Sequence, residues 1–135
     1  MRFLTRRVAI LGVSALALSF AGCGGSGSPF ESVPVTGKIT YEDGSPIGGM
    51  RVYFYSEQPP IDGMHPRPAV VGIGEDGSFS QVTTYKYGDG LVLGKHKVSF
   101  ESKRVPKAYQ STTTTPLTVE VTESGQFLEI KVPKP

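Results

Sequence analysis

The residues that could do chemistry are few in this chain. It contains one cysteine, Cys23, and two histidines, His65 and His96. Neither a Gly-x-Ser-x-Gly nucleophile elbow nor a His-Glu-x-x-His zinc motif occurs, and no Cys–His pair is present. His65 lies in a proline-rich segment, and His96 falls on the predicted inward face of a strand. The sequence therefore predicts no catalytic residue and no cofactor, so the protein is not expected to be an enzyme.

Acidic residues offer the other possible chemistry, the binding of a cation. Asp43, Asp76 and Asp89 each precede a glycine, which is typical of tight turns and favours a structural role. A calcium site is the alternative, but no stretch spaces its carboxylates as an EF-hand does. We therefore predict no metal site among the candidate carboxylates, which are Glu42, Asp43, Asp62, Glu75, Asp76 and Asp89.

Aromatic side chains form a third candidate set. Tyr53 and Tyr55 alternate with Val52 and Phe54, so they face solvent if the latter two face a core. Exposed tyrosine rings can stack on a sugar or on a partner surface. The alternative is that tyrosine is simply frequent in strands. The candidate binding surface comprises Tyr53, Tyr55, Tyr85, Tyr87 and Tyr109.

The first 22 residues have the composition of an export signal. Arg2, Arg6 and Arg7 precede an apolar run over residues 8–20, and small residues follow it. The run is shorter than the roughly 20 residues that a transmembrane helix needs. A buried helix of a globular domain is the alternative. The two adjacent arginines leave the twin-arginine route open beside general secretion.

The end of this segment, Phe20-Ala21-Gly22-Cys23, resembles the lipobox of bacterial lipoproteins, with Phe20 where an aliphatic residue is usual. The resemblance implies that Cys23 carries diacylglycerol and an acyl chain such as palmitate. Two or three chains make a durable membrane anchor. Gly24 follows the cysteine, which favours the outer over the inner membrane. The alternative is a free exported thiol.

The chain divides into a signal peptide (1–22), a lipidated terminus with a Gly/Ser-rich tether (23–33) and one domain (34–135). Three of the 14 basic residues lie in the signal, which leaves 11 against 12 acidic ones, a net charge of −1. A mature protein with this balance lacks the basic character of nucleic-acid-binding proteins. Its expected partner is the membrane, through Cys23, with an envelope glycan or protein as a possible second partner.

The domain shows strand periodicity throughout. Apolar and polar residues alternate in about seven short runs separated by turn sequences, and no helical period appears after residue 30. The 17 glycines and 11 prolines fit turns rather than helices. We predict an all-β fold, a single antiparallel β-sandwich, with a small closed barrel as the alternative. Two segments, 57–68 and 102–116, do not read as strands and are expected to be long loops.

Residues 35–55, VTGKITYEDGSPIGGMRVYFY, resemble the opening hairpin of transthyretin-like, or carboxypeptidase regulatory-like, domains. Later segments resemble the same family in order, at 75–79, 89–100, 105–109 and 116–121. The resemblance implies a Greek-key β-sandwich. Some transthyretin-related enzymes hydrolyse 5-hydroxyisourate and end in a Tyr-Arg-Gly-Ser-like tail. This chain ends in EIKVPKP, so the resemblance does not imply that activity.

Together these features predict an exported, membrane-anchored envelope protein with a non-enzymatic structural or accessory role. The alternative is a glycan- or protein-binding surface module that uses the tyrosines and the long loops. The two differ in whether Tyr53, Tyr55 and a neighbouring loop form one continuous exposed surface.

Overall fold

The computed structural model describes residues 28–135, so the predicted signal, Cys23 and most of the tether lie outside the described residues. The described chain is all-β, and within it no helix is long and apolar enough to cross a bilayer. Its elements are β1 (Ser32–Val33), β2 (Val35–Tyr41), β3 (Arg51–Ser56), β4 (Ala69–Gly72), β5 (Ser78–Phe79), β6 (Leu91–Val92), β7 (Gly94–Glu101), the 3₁₀ helix η1 (Lys107–Gln110), β8 (Thr118–Val121) and β9 (Gln126–Val132).

Two sheets build the domain. One has the strand order β5-β2-β9 and the other β4-β3-β7-β8, while β1 and β6 form a short separate ribbon. The predicted all-β sandwich is confirmed, and the sheets do not close into a barrel. One pairing differs in direction: β2 runs parallel to β9, from Val35 opposite Gln126 to Tyr41 opposite Val132. All other strand pairs are antiparallel.

The core lies between the inner faces of the two sheets. Alternation sets these faces, because successive side chains of a strand point to opposite sides. On β3, Val52 and Phe54 are both 0% exposed. Each such side chain contributes about 1.5–3 kcal/mol by leaving water. The largest fully buried aliphatic and aromatic residues are Phe54, Phe100, Ile39, Ile47, Leu91 and Ile130.

The sequence EDGS occurs twice, at 42–45 and 75–78, and folds into the same turn each time. The Oδ1 atom of Asp43 accepts hydrogen bonds from the amide and the hydroxyl of Ser45, at 2.9 and 2.5 Å. Asp76 holds Ser78 in the same way, at 3.0 and 2.6 Å. The Lys134 ammonium, followed by the two bonds from Ser45, lowers the pKa of Asp43, and the two bonds from Ser78 lower the pKa of Asp76. The acids predicted to be structural are thus engaged in turns.

The N-terminal boundary lies earlier than residue 34. Phe30 is 7% exposed and Val33 belongs to the core. The amide of Leu93 donates to the carbonyl of Glu31 over 3.1 Å. Packing of the domain therefore begins at Phe30, and the chain between Cys23 and the domain is shorter than the sequence suggests.

The second long loop, 102–116, folds back onto the four-stranded sheet, and we call it the flap. Val105 is buried, and the Thr115 hydroxyl donates to the Val98 carbonyl over 2.7 Å. At the start of the flap, Arg104 donates from Nη1 to the Gly48 carbonyl at 2.7 Å. The flap is thus fixed at its start to the connection before β3 and at its end to β7, and η1 lies at its middle.

Candidate functional site

A groove of about 310 Å³ lies on the outer face of the four-stranded sheet, between β3, β7 and the flap. Tyr53 and Tyr55 point outward because Val52 and Phe54 point inward, and both rings are half-buried. Their register partners on β7 are Ser99 and Lys97. The groove is lined by Tyr53, Tyr55, Ser99, Phe100, Glu101, Gln110, Ser111 and Thr112.

The floor of the groove carries one tyrosine–carboxylate hydrogen bond. The Tyr53 hydroxyl donates to Oε2 of Glu101 over 2.8 Å. Glu101 is exposed, and its carboxylate retains acceptor capacity beyond this bond because a carboxylate has about four lone-pair sites. The bond fixes the orientation of the Tyr53 ring beside an available anionic acceptor.

The flap supplies the polar wall of the groove. Gln110 closes η1, and its Nε2 donates to the carbonyl of Val105 over 3.0 Å. Ser111 and Thr113 share a hydroxyl–hydroxyl contact of 3.0 Å at the turn that follows. The wall thus presents hydroxyl and amide groups opposite two aromatic rings.

The structure brings Tyr53 and Tyr55 together but places the other three candidate tyrosines elsewhere. Tyr109 packs against the core from η1. Tyr85 accepts the Arg67 amide at its hydroxyl, at 3.2 Å, and its ring lies 5.4 Å from the Arg67 guanidinium. Tyr87 is 83% exposed and lies in a different groove, beside Val70 and Gly72.

Neither histidine lies in the tyrosine groove. His65 is exposed in the 57–68 loop. His96 is 2% exposed and donates from Nε2 to the Val92 carbonyl over 2.6 Å. Its ring stands edge-on to Phe54, with centroids 6.4 Å apart. His96 is therefore a core residue, as its position in the alternating pattern indicates.

The acidic residues do not gather into a cluster. Within residues 28–135, no three His, Cys, Asp or Glu side chains come close enough to hold a metal ion. Asp89 instead accepts the amides of Thr84, Tyr85 and Lys86 at 2.8, 2.9 and 3.0 Å. Its carboxylate therefore shapes the 84–89 turn.

Sequence reasoning missed the polar half of the groove. Glu101 lies on the same face of β7 as Ser99 and opposite Arg51 of β3, so strand alternation could have placed it near Tyr53 once the pairing was known. No local signal places Gln110, Ser111 and Thr112 there. Their position depends on the burial of Val105 and Thr115, which anchor the flap.

Comparisons with known proteins add little. No family model matches the chain, and no curated protein matches it. Among solved structures, the chain is similar to a DUF3823 family protein from Parabacteroides merdae ATCC 43184, at 16% sequence identity and a TM-score of 0.47. The similarity covers 78% of this chain and 47% of that protein, so the chain spans about half of its length. A similarity this distant supports no conclusion about function or family.

Proposed function

We propose that this protein is a non-enzymatic, lipid-anchored domain of the cell envelope that binds a glycan in the tyrosine groove. The observation that carries the proposal is the pair of outward-facing rings, Tyr53 and Tyr55, beneath a polar flap. The anchor is supported by the lipobox resemblance at Cys23. The residue after this cysteine is Gly24 and not an aspartate, which favours the outer membrane.

The chemistry of the groove suits a hydroxyl-rich ligand. Aromatic rings offer an apolar face on which the C–H surface of a sugar ring can stack. The Glu101 carboxylate and the Ser111 hydroxyl offer hydrogen-bond partners for sugar hydroxyls around that face. A site with an apolar floor and a few placed polar groups is the usual design for a small-molecule ligand.

The groove is tested by titrating a soluble fragment, residues 28–135, with two probes, an N-acetylglucosamine tetramer and a glucose tetramer. Amide NMR shifts should change at β3, β7 and the flap with at least one probe. Tyr55→Ala should weaken that binding by about two- to tenfold, which corresponds to the roughly 0.5–1.5 kcal/mol of a lost aromatic stacking contact. Tyr87→Ala is the matched control, because this tyrosine is exposed but lies outside the groove.

A structural role without a glycan ligand is the second candidate. It is favoured by the bond between the Tyr53 hydroxyl and Glu101, which engages a groove residue within the domain itself. In that case neither tetramer shifts the groove amides, and Tyr55→Ala matches wild type in every binding assay. That pair of results would contradict glycan binding.

The anchor is tested separately through Cys23. Replacing Cys23 with serine should remove the palmitate label and move the protein from the membrane to the soluble exported fraction, because the thioether needs the thiol. Membrane retention by the unlabelled variant would contradict the lipobox interpretation. This measurement does not depend on the glycan groove.

A further inference from the structure

An exposed apolar pair lies at the tip of the 57–68 loop. Ile61 and Met64 exchange backbone hydrogen bonds of 3.0 and 2.9 Å, so they close a two-residue turn. Asp62 and Gly63 between them have φ values of 50° and 74°, which are typical of a type I′ turn. Residues directly opposite in such a ribbon share one face. The side chains of Ile61 and Met64, 41% and 47% exposed, therefore project together.

The arms of this loop are fixed to the domain. Four prolines at 59, 60, 66 and 68 restrict the backbone on either side of the tip. On one arm, Gln58 donates from Nε2 to the Leu93 carbonyl over 2.8 Å. On the other, Arg67 is held by the hydroxyl and the ring of Tyr85. Ile61 and Met64 do not belong to the hydrophobic core, so their exposure contributes nothing to the fold.

The root of the loop lies where the chain enters the domain. Leu93 makes two hydrogen bonds here. Its carbonyl accepts one from the Gln58 side chain, and its amide donates one to the Glu31 carbonyl. Glu31 follows the buried Phe30, which is only seven residues from Cys23. Seven residues span at most about 25 Å when fully extended. If Cys23 is acylated, this end of the sandwich is confined to the neighbourhood of the bilayer.

We propose that the Ile61–Met64 tip contacts the lipid surface and sets the orientation of the domain on the membrane. The inference depends on the proposed lipid anchor at Cys23. Because the acyl chains already hold the domain at the surface, the second contact is intramolecular, and even a small apolar area is effective. Asp62 at the turn limits the depth of contact to the boundary between headgroups and acyl chains.

The orientation matters for the tyrosine groove. Tyr53 and Tyr55 lie on the side of the sandwich, whereas the tip projects from one end of β3 and β4. If one end of the sandwich rests on the membrane, the outer face of the four-stranded sheet stands upright, roughly perpendicular to the membrane plane. The groove is then accessible from the space beside the membrane and is not pressed against the lipid.

The absence of tryptophan from the sequence allows a direct test. The full acylated protein carrying Met64→Trp is reconstituted into phosphatidylethanolamine–phosphatidylglycerol vesicles. One set of vesicles contains phospholipids with brominated acyl chains, and the other set contains none. The tryptophan fluorescence should fall about twofold in the brominated vesicles, as for a side chain at the acyl boundary. The matched control is Lys103→Trp, an exposed site at the opposite end of the sandwich, which should be unaffected. Circular dichroism of both variants should match wild type, since neither site contributes to the core.

The outcomes separate the inference from the anchor on which it rests. A Met64→Trp protein that floats with the vesicles but emits equally in both vesicle types overturns the membrane contact alone. Equal quenching of the two tryptophan variants also overturns it, because the domain would then have no fixed orientation. If the full chain does not float with the vesicles, both the anchor and the tip contact are wrong. This result would not contradict glycan binding in the groove.

Discussion

His96 is buried between the sheets with only one of its two ring nitrogens bonded. Nε2 donates to the Val92 carbonyl, whereas Nδ1 has no hydrogen-bond partner among the described residues. Burial lowers the pKa of His96 below its usual value of 6.5, against smaller opposing effects of the Val92 carbonyl and Glu57. A protonated ring would have to place an unbonded N–H in the core. The neutral ring is therefore the form that the fold accepts.

The first prediction is a loss of stability in mild acid. In the unfolded chain His96 titrates near 6.5, and in the folded chain it titrates lower, so the unfolded state binds more protons between those values. The free energy of unfolding should decrease as pH falls below about 6.5, by at most about 1.4 kcal/mol per pH unit. Urea unfolding at pH 7.5 and 5.5 measures this decrease in the free energy of unfolding.

His96→Gln should abolish the difference in stability between the two pH values, and His65→Gln should preserve it. Equal behaviour of the two variants would exclude His96 as the cause.

The second prediction uses the repeated EDGS turn. Gly44 and Gly77 have nearly equal φ values, 88° and 83°, so an alanine at either position is strained by about 1–2 kcal/mol. A Cβ at Gly44 would meet no atom, whereas one at Gly77 would overlap the Ile39 carbonyl. Gly77→Ala should therefore cost about 1–3 kcal/mol more than Gly44→Ala. Equal midpoints in urea for the two variants would show that the turn at Gly77 moves freely away from β2.

At the scale of the element, β3 separates the core from the groove along a single strand. Val52→Ala with Phe54→Ala should cost several kcal/mol, as large-to-small core changes do. Tyr53→Ala with Tyr55→Ala should cost about 1–2 kcal/mol, because the rings are half-buried and one hydrogen bond is lost. Chemical unfolding of both double variants measures the difference. If the tyrosine pair proves as costly as the core pair, the outer face is required mainly for packing.

Strand patterning predicted which faces of β2, β3, β7 and β9 are inward, because a sandwich buries one face of each strand and period-two alternation is local. It could not predict that β2 and β9 run parallel. Both directions of pairing place the same alternate residues inward, so alternation carries no information about strand direction. The pairing depends on contacts between residues about 90 positions apart in the chain.

The candidate site was predictable in part for the same reason. Tyr53 and Tyr55 were identified from alternation with Val52 and Phe54. The flap was expected only as a long loop, because its position depends on distant contacts such as that between Arg104 and Gly48, 56 residues apart. The polar wall of the groove follows from that contact together with the burial of Val105 and Thr115, and from no local pattern.

At the scale of the whole molecule, the domain depends on its core alone. The only cysteine of the chain is Cys23, so no disulfide can form within one molecule, and within the described residues buried packing begins at Phe30. A fragment of residues 28–135 should therefore fold without lipid or oxidant. Circular dichroism should show strand with almost no helix, and urea unfolding should be cooperative. A fragment without a cooperative transition would show that the preceding residues contribute to stability.

The parallel pair formed by β2 and β9 joins the first long strand of the domain to its last. Val132, at the end of β9, is fully buried, and the amide of Glu42 donates to its carbonyl over 3.1 Å. Contacts of such high sequence separation form late and slowly. The three-stranded sheet therefore cannot close until the chain has been synthesised as far as β9. If the protein is exported as proposed, this sheet stays open while the residues before β9 cross the membrane.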